Sequence, residues 1–157
     1  MLAAPSTLPA TFGWIRSPVV IPFRDLELIP VAAPTHPLAS GAETGTGAAR
    51  RHVQLVLTDR STLTEGQDFG VFADQTWRLG DLGAKHALLL AGIGWGNMPA
   101  AMVRADLQSG RLVRLDLPDW RGGTFTMHLL HAAGAPPGPA GRWLMQRFID
   151  GAGRADG

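Results

Sequence analysis

The spacing of hydrophobic positions changes period several times along the chain, and each change marks an element. From Val19 the apolar residues gather as VVIPF and LELIPVAAP. Leu26, Leu28 and Val31 with Ala32 predict a strand that Pro30 interrupts or places at an edge, since proline cannot donate to a ladder. In RRHVQLVLTDR, Arg50–Arg60, Val53, Leu55 and Leu57 alternate with Gln54 and Val56, the pattern of a mostly buried strand. Thr76–Leu79 is a further short strand. The period then lengthens. Leu82, His86, Leu89 and Leu90 share one helical face, with Asp81 as the N-cap and Gly92 supplying a left-handed end. GIGWG predicts a tight glycine-rich turn. Pro99 at a first helical position opens a short helix over Ala100–Ala105, and Gly110 closes it. Arg111–Leu117 returns to strand spacing, with Val113, Leu115 and Leu117 on one face.

The flanks are less regular. Residues 1–18 carry three prolines and no period, and are expected to be a poorly ordered lead-in. THPLASGAETGTGAAR is a loop made flexible by Gly41, Gly45 and Gly47, with His36 held extended before Pro37. STLTEGQDFG is a polar excursion. TFTMHLLHA alternates Phe125, Met127 and Leu129 with Thr124, Thr126 and His128. AGAPPGPAG is a linker, and Arg142–Asp150 places Leu144, Met145, Phe148 and Ile149 along one helical face. The last residues, 151–157, form a frayed tail.

Composition narrows the class without naming a chemistry. At 157 residues, with 45% hydrophobic and 17% charged residues, the chain can bury a core as one domain or two small lobes. A formal net charge of +1 provides no basic field for nucleic acid. The absence of cysteine removes disulfides, thiolate nucleophiles and cysteine-type zinc sites. No apolar run approaches the ~18 residues of a membrane helix. No positive n-region precedes the apolar start, which argues against a signal peptide, so a cytoplasmic protein is expected.

Candidate chemistry is sparse. Thr58, Asp59, Arg60 and Ser61 stand at the carboxyl end of a predicted strand, where open α/β sheets collect ligands. Two readings stay open there: a small polar ligand oriented by these side chains, with Arg60 gripping a carboxylate, or a turn held by its own side chains. The glycines of GIGWG follow a helix rather than opening one, so they read as packing glycines and not as a dinucleotide fingerprint. His128 and His131 fall on opposite faces of a strand and cannot share a metal there, and His86 reads as a hydrogen-bonded core histidine. Ser61 has no nucleophile-elbow setting. No metal, cofactor or catalytic set is expected. The tryptophans Trp77, Trp95, Trp120 and Trp143 read as packing residues, Trp95 alone lying where it could line a pocket.

In order along the chain, IPVAAPTHPLA, LVLTDRS, TWRLGDLGAKHALLLAGIGWGNMP, LQSGRLVRL and RWLMQRFID resemble the effector-binding (substrate-binding) domain of LysR-type transcriptional regulators. The resemblance covers about Val19 to Ile149. It implies an α/β, type 2 periplasmic-binding-protein-like fold, here as the second lobe (about 28–117) plus the returning strand and helix of the first lobe (about 118–150) within a partial domain at 19–150. It implies a non-enzymatic sensor whose ligand contacts fall on Thr58, Asp59, Arg60 and Ser61, with Trp95 and Asn97 less central. The implied partners are a small-molecule effector, of anionic kind if Arg60 contacts it, and copies of the same chain. DNA would be reached only through a winged helix-turn-helix domain absent from these residues, so the chain is expected to be an N-terminally truncated fragment. The apolar side of Phe125, Met127, Leu129, Leu144 and Phe148 would then lie uncovered. The competing reading is a stand-alone solute-binding domain or small hydrolase on the same α/β cleft.

Overall fold

A computed structural model of the protein describes residues 11–12, 15–16, 18–43, 45–58 and 70–152. In chain order the described elements are β1 (Thr11–Phe12), β2 (Ile15–Arg16), β3 (Pro18–Ala32), α1 (Pro37–Ser40), a 3₁₀ turn at Ala48–Arg51, β4 (Gln54–Leu57), β5 (Thr76–Leu79), α2 (Leu82–Leu90), β6 (Trp95–Pro99), α3 (Ala100–Gln108), β7 (Val113–Arg114), β8 (Gly123–Ala132) and α4 (Pro139–Ala152). Two units emerge. One comprises Leu26–Phe125; the other comprises Met1–Asp25 and Thr126–Gly157. β3 and β8 each pass from one unit into the other.

In the larger unit the sheet runs β5-β4-β6-β3-β7, with β8 also pairing β3. β4 is parallel to β5 and to β6, whereas β3 is antiparallel to β6 and β7. Pro30 does not interrupt β3 or stand at an edge: it lies opposite Asn97 of β6, inside a strand paired on both sides. Its carbonyl accepts from Leu115 N at 2.9 Å. The missing N–H faces the same side, opposite Leu115, so the reciprocal ladder bond is not made and β7 gives out after Arg114.

Alternation sorts the two faces. Ile29, Val31, Leu55 and Met98 meet Leu89 of α2, Val103 of α3 and Leu112 in one buried cluster. Ala32 and Trp95 meet Ala49, Leu115 and Leu117 in the other. Fully burying a Leu, Ile or Met side chain stabilises by about 1.5–3 kcal/mol, so this unit carries its own core.

Local signals explain most boundaries. Asp81 Oδ1 accepts from Ala84 N at 2.7 Å and caps α2, and Gly92 at φ 75° ends it, with Ile93 N bonded to Leu88 O at 3.1 Å. Pro99 is the cap of α3 rather than its first residue, and the helix extends to Gln108, beyond the expected Ala105. The expected strand at Arg111–Leu117 shrinks to Val113–Arg114, because Leu115 is held through its amide and Leu117 turns to bridge Trp120. The expected turn at GIGWG is the largest departure: only Gly92 turns, and Trp95–Pro99 is a central strand.

In the smaller unit the lead-in is not featureless, since β1 and β2 pair antiparallel with Thr11 opposite Arg16. Phe23 meets Phe148 of α4 edge-on, with ring centroids 5.9 Å apart, and Thr126 Oγ1 donates to Asp25 at 2.7 Å. α4 nevertheless leaves Trp143 65% and Leu144 50% exposed.

Candidate functional site

The carboxyl end of β4 is tied to β5, Thr58 N donating to Leu79 O at 2.7 Å. Asp59, Arg60 and Ser61 lie outside the described residues. The chain is next described at Gly70, and the anchors of that segment are visible. Gln54, 1% exposed, donates from Nε2 to Gly70 O at 2.6 Å and accepts at Oε1 from Phe72 N at 2.8 Å and Ala73 N at 3.1 Å. A buried amide with both ends used is fully satisfied, which is why a polar residue is tolerated in an apolar run.

Asn97 on β6 completes the same network. Its Nδ2 donates to Gly70 O at 3.2 Å, and its Oδ1 accepts from Trp120 Nε1 at 2.8 Å. Trp120 in turn packs on Phe72, with ring centroids 5.0 Å apart. Thus Gln54, Asn97 and Trp120 together hold the start of the 70–73 segment against the sheet. Trp95 is 0% exposed, and its indole N–H donates to Ala49 O at 3.1 Å. It is a core residue of β6, packed with Leu115 and Leu117.

The other face carries Lys85. Its Nζ donates to the backbone O of Asn97 at 2.7 Å, and the side chain is 4% exposed. Burial pushes its pKa down from 10.5 to about 8. Gly96 makes the approach possible, because a Cβ there would lie 2.6 Å from Leu55 O and 3.1 Å from Lys85 Cε. Gly94 is required in the same way, against Val53 O at 2.5 Å. These glycines serve close backbone packing.

His86 and His36 are bonded within the fold. His86 Nε2 lies 2.7 Å from Asp106 Oδ2, and Arg111 reaches the other oxygen of that buried carboxylate at 2.5 Å. His36 caps α1, accepting from Leu38 N at its Nδ1, and its ring meets His52 edge-on at 5.0 Å. Burial, and then the neighbouring His52, hold its pKa below the ordinary value. His128 and His131 are on strand β8. Among the described residues no group of three His, Asp or Glu could hold a metal ion. Of the four tryptophans expected to pack, Trp77 and Trp143 are instead 49% and 65% exposed.

A cavity of about 500 Å³ opens beside α1 and β7, lined by Leu38, Ala48, Val113, Leu115 and Leu117 with Glu43 and Arg114. Glu43 is taken by Arg51 and His52, and Arg114 is shared between Glu27 and Arg121 O, so its charged groups are already committed.

Residues 16–153 match the family model described as the LysR substrate binding domain. The chain belongs to the LysR substrate-binding domain family. Solved LysR-type structures share its fold. The regulatory domain of CcmR from Synechocystis PCC6803, in complex with 2-PG, superposes with a TM-score of 0.65 at 16% identity, covering 88% of this chain and 68% of that one. Full-length LysG from Corynebacterium glutamicum gives 0.64 at 16% identity, covering 86% of this chain and 45% of that one. The effector-binding domain of QuiR, in complex with shikimate, gives 0.63 at 16% identity, over 88% of this chain and 66% of that one. The chain therefore spans less than half of the full-length regulator and about two thirds of the regulatory domains. No curated protein sequence matches it. The LysR substrate-binding family is the effector-binding part of LysR-type regulators, and its type 2 periplasmic-binding-protein-like fold agrees with the mixed α/β sheet found here.

Lys85 and Gln54 are two buried polar residues that periodicity overlooks. Lys85 is the only lysine in the sequence, and Gln54 is a lone amide inside VQLVL. Both were visible as exceptions to an apolar pattern, but their partners were not.

Proposed function

We propose that this LysR substrate-binding chain senses a small anionic effector at the carboxyl ends of β4 and β6. The family match over residues 16–153 carries the reading. Thr58, Asp59, Arg60 and Ser61 supply the polar contacts, with Arg60 pairing a carboxylate in bidentate fashion. Asn97 contributes by holding the 70–73 segment, since both ends of its side-chain amide are already bonded. Trp95 contributes by fixing β6 from the core. The chain performs no chemistry on its ligand; its output is a binding equilibrium linked to the association state of the regulator, a coupling that is reciprocal by thermodynamic necessity. Contact with DNA belongs to a separate helix-turn-helix domain, and the molecule works in the cytoplasm. No described helix is long and apolar enough to cross a membrane.

Thermal-shift screening of small carboxylates against the wild type and Arg60→Ala tests this. Acids that stabilise the wild type should lose most of that stabilisation in the variant, by about 1.5–3 kcal/mol for a hydrogen bond to a charged group. Equal shifts in both proteins would remove Arg60 from the site. Specific operator retention by these 157 residues in a low-salt gel shift would sink the sensor-only reading.

A further inference from the structure

The sequence has 14 basic residues, of which 13 are arginine and one, Lys85, is lysine. A strongly hydrated ammonium is the more costly cation to bury, so a single lysine placed at 4% exposure calls for a reason. Among the described residues its one hydrogen bond is to the Asn97 carbonyl, which leaves two of three N–H donors unused, and no carboxylate pairs with it. Asp81, four residues earlier, caps α2, and Asp106 holds His86 and Arg111.

Its position supplies the reason. β4 lies between β5 and β6, yet it pairs with β5 along its whole length and with β6 only through Gln54 and Trp95. Beyond that pairing the two strands run toward their carboxyl ends, Thr58 committed to Leu79 and the Asn97 carbonyl to Lys85. The ammonium therefore sits against the carboxyl half of β6, beside the end of β4, where open α/β sheets receive ligands. The missing side chain at Gly96 is what lets it lie there.

We infer that Lys85 is the buried counter-charge for the effector's acidic group, approached between the carboxyl ends of β4 and β6, and thereby sets the preference for acids over their neutral analogues. This deepens, and rests on, the sensor reading above. A carboxylate arriving at the two unused donors would supply the charged partner that the described residues do not, whereas an amide or ester of the same shape would leave the ammonium uncompensated. With its pKa near 8, the group is predominantly charged at neutral pH and ready to receive an anion.

The test uses the single lysine. Protein labelled with ¹³C-lysine gives one Lys Cε resonance, whose pH titration is followed alone and with saturating benzoate, succinate or shikimate, and then with benzamide or methyl benzoate. Calorimetry on wild type and Lys85→Met runs in parallel. For an acid that binds, the midpoint should rise by about one pH unit or more, and the acid should bind Lys85→Met about tenfold or more weakly, the two being the same linkage read twice. The neutral analogues should leave the midpoint unmoved. An acid that binds the wild type without moving the midpoint, and binds Lys85→Met equally well, overturns the role of Lys85 while leaving the sensor reading intact. No binding of any of the acids to the wild type overturns both.

Discussion

Two adjacent facts at β6 set what single residues can do here. Gly96 faces Leu55 O on one side and the stem of Lys85 on the other, so a methyl group has nowhere to go. Gly96→Ala should lower the unfolding free energy by about 1–3 kcal/mol in chemical denaturation, the range for overpacking a dense site. Lys85 itself makes stability depend on pH. Its folded pKa near 8 lies below the ordinary 10.5, so the unfolded chain binds more protons between those values and stability should rise as pH climbs from about 8 to 10.5. Below pH 8 the full cost, about 3 kcal/mol at 1.36 kcal/mol per unit, is present. The chain has no tyrosine or cysteine to titrate in the same window. Lys85→Met should therefore be more stable than wild type at pH 7 by roughly 1–3 kcal/mol, after loss of the Asn97 contact, and should show no rise between pH 8 and 10.5. A wild-type slope that survives the substitution would assign it to another group.

Elements depend on polar residues in the wrong place for a simple pattern. β4 reads as alternating and buried, yet it buries the amide of Gln54 beside Leu55, and Leu57 is 44% exposed. The strand needs that amide because the 70–73 segment has no ladder partner of its own and takes its bonds from Gln54 and Asn97. Gln54→Leu should cost about 2–3 kcal/mol by leaving Phe72 N and Ala73 N without partners and Gly70 O with Asn97 alone. Hydrogen exchange should show it locally, with the Phe72 and Ala73 amides losing protection before those of α2. Unchanged protection would mean that Asn97 and Trp120 suffice to hold the segment. The helices were easier to foresee. Asp81 and Gly92 act over one turn and bounded α2 close to where the sequence placed it, whereas α3 runs to Gln108, past the expected Ala105. Strand lengths were harder, because pairing is decided by a neighbour distant in sequence: β7 stops where Pro30 and Leu117 dictate.

At the scale of the whole molecule the two units differ in how much they bury. The larger closes two apolar clusters over its sheet, whereas the smaller leaves Phe148, Leu144 and Trp143 of α4 and Met127 of β8 exposed. Apolar surface gathered on one helix favours association. Sedimentation velocity should show the average mass rising with protein concentration, and Trp143→Ser combined with Leu144→Glu should hold the chain as a monomer. A monomer at every concentration in the wild type would mean that the exposed face is tolerated alone. Its solved relatives extend beyond it: the chain covers 68% of the CcmR regulatory domain and 45% of full-length LysG.

The amino-acid sequence by itself determined the ends of α2, the fold class and the family, because capping, glycine conformation and an ordered set of local segments are properties of neighbours in the chain. It also marked Thr58 to Ser61 as polar groups at a strand end. Only the tertiary structure decided that GIGWG feeds a central strand, that Pro30 can sit between two strands, and that Asn97 and Gln54 are spent on a segment far away in sequence. It alone showed that the one lysine of the chain is buried beside β6. Those outcomes depend on which carbonyl lies opposite which donor across the sheet, and that register is set by the packing of the whole unit rather than by any window of residues.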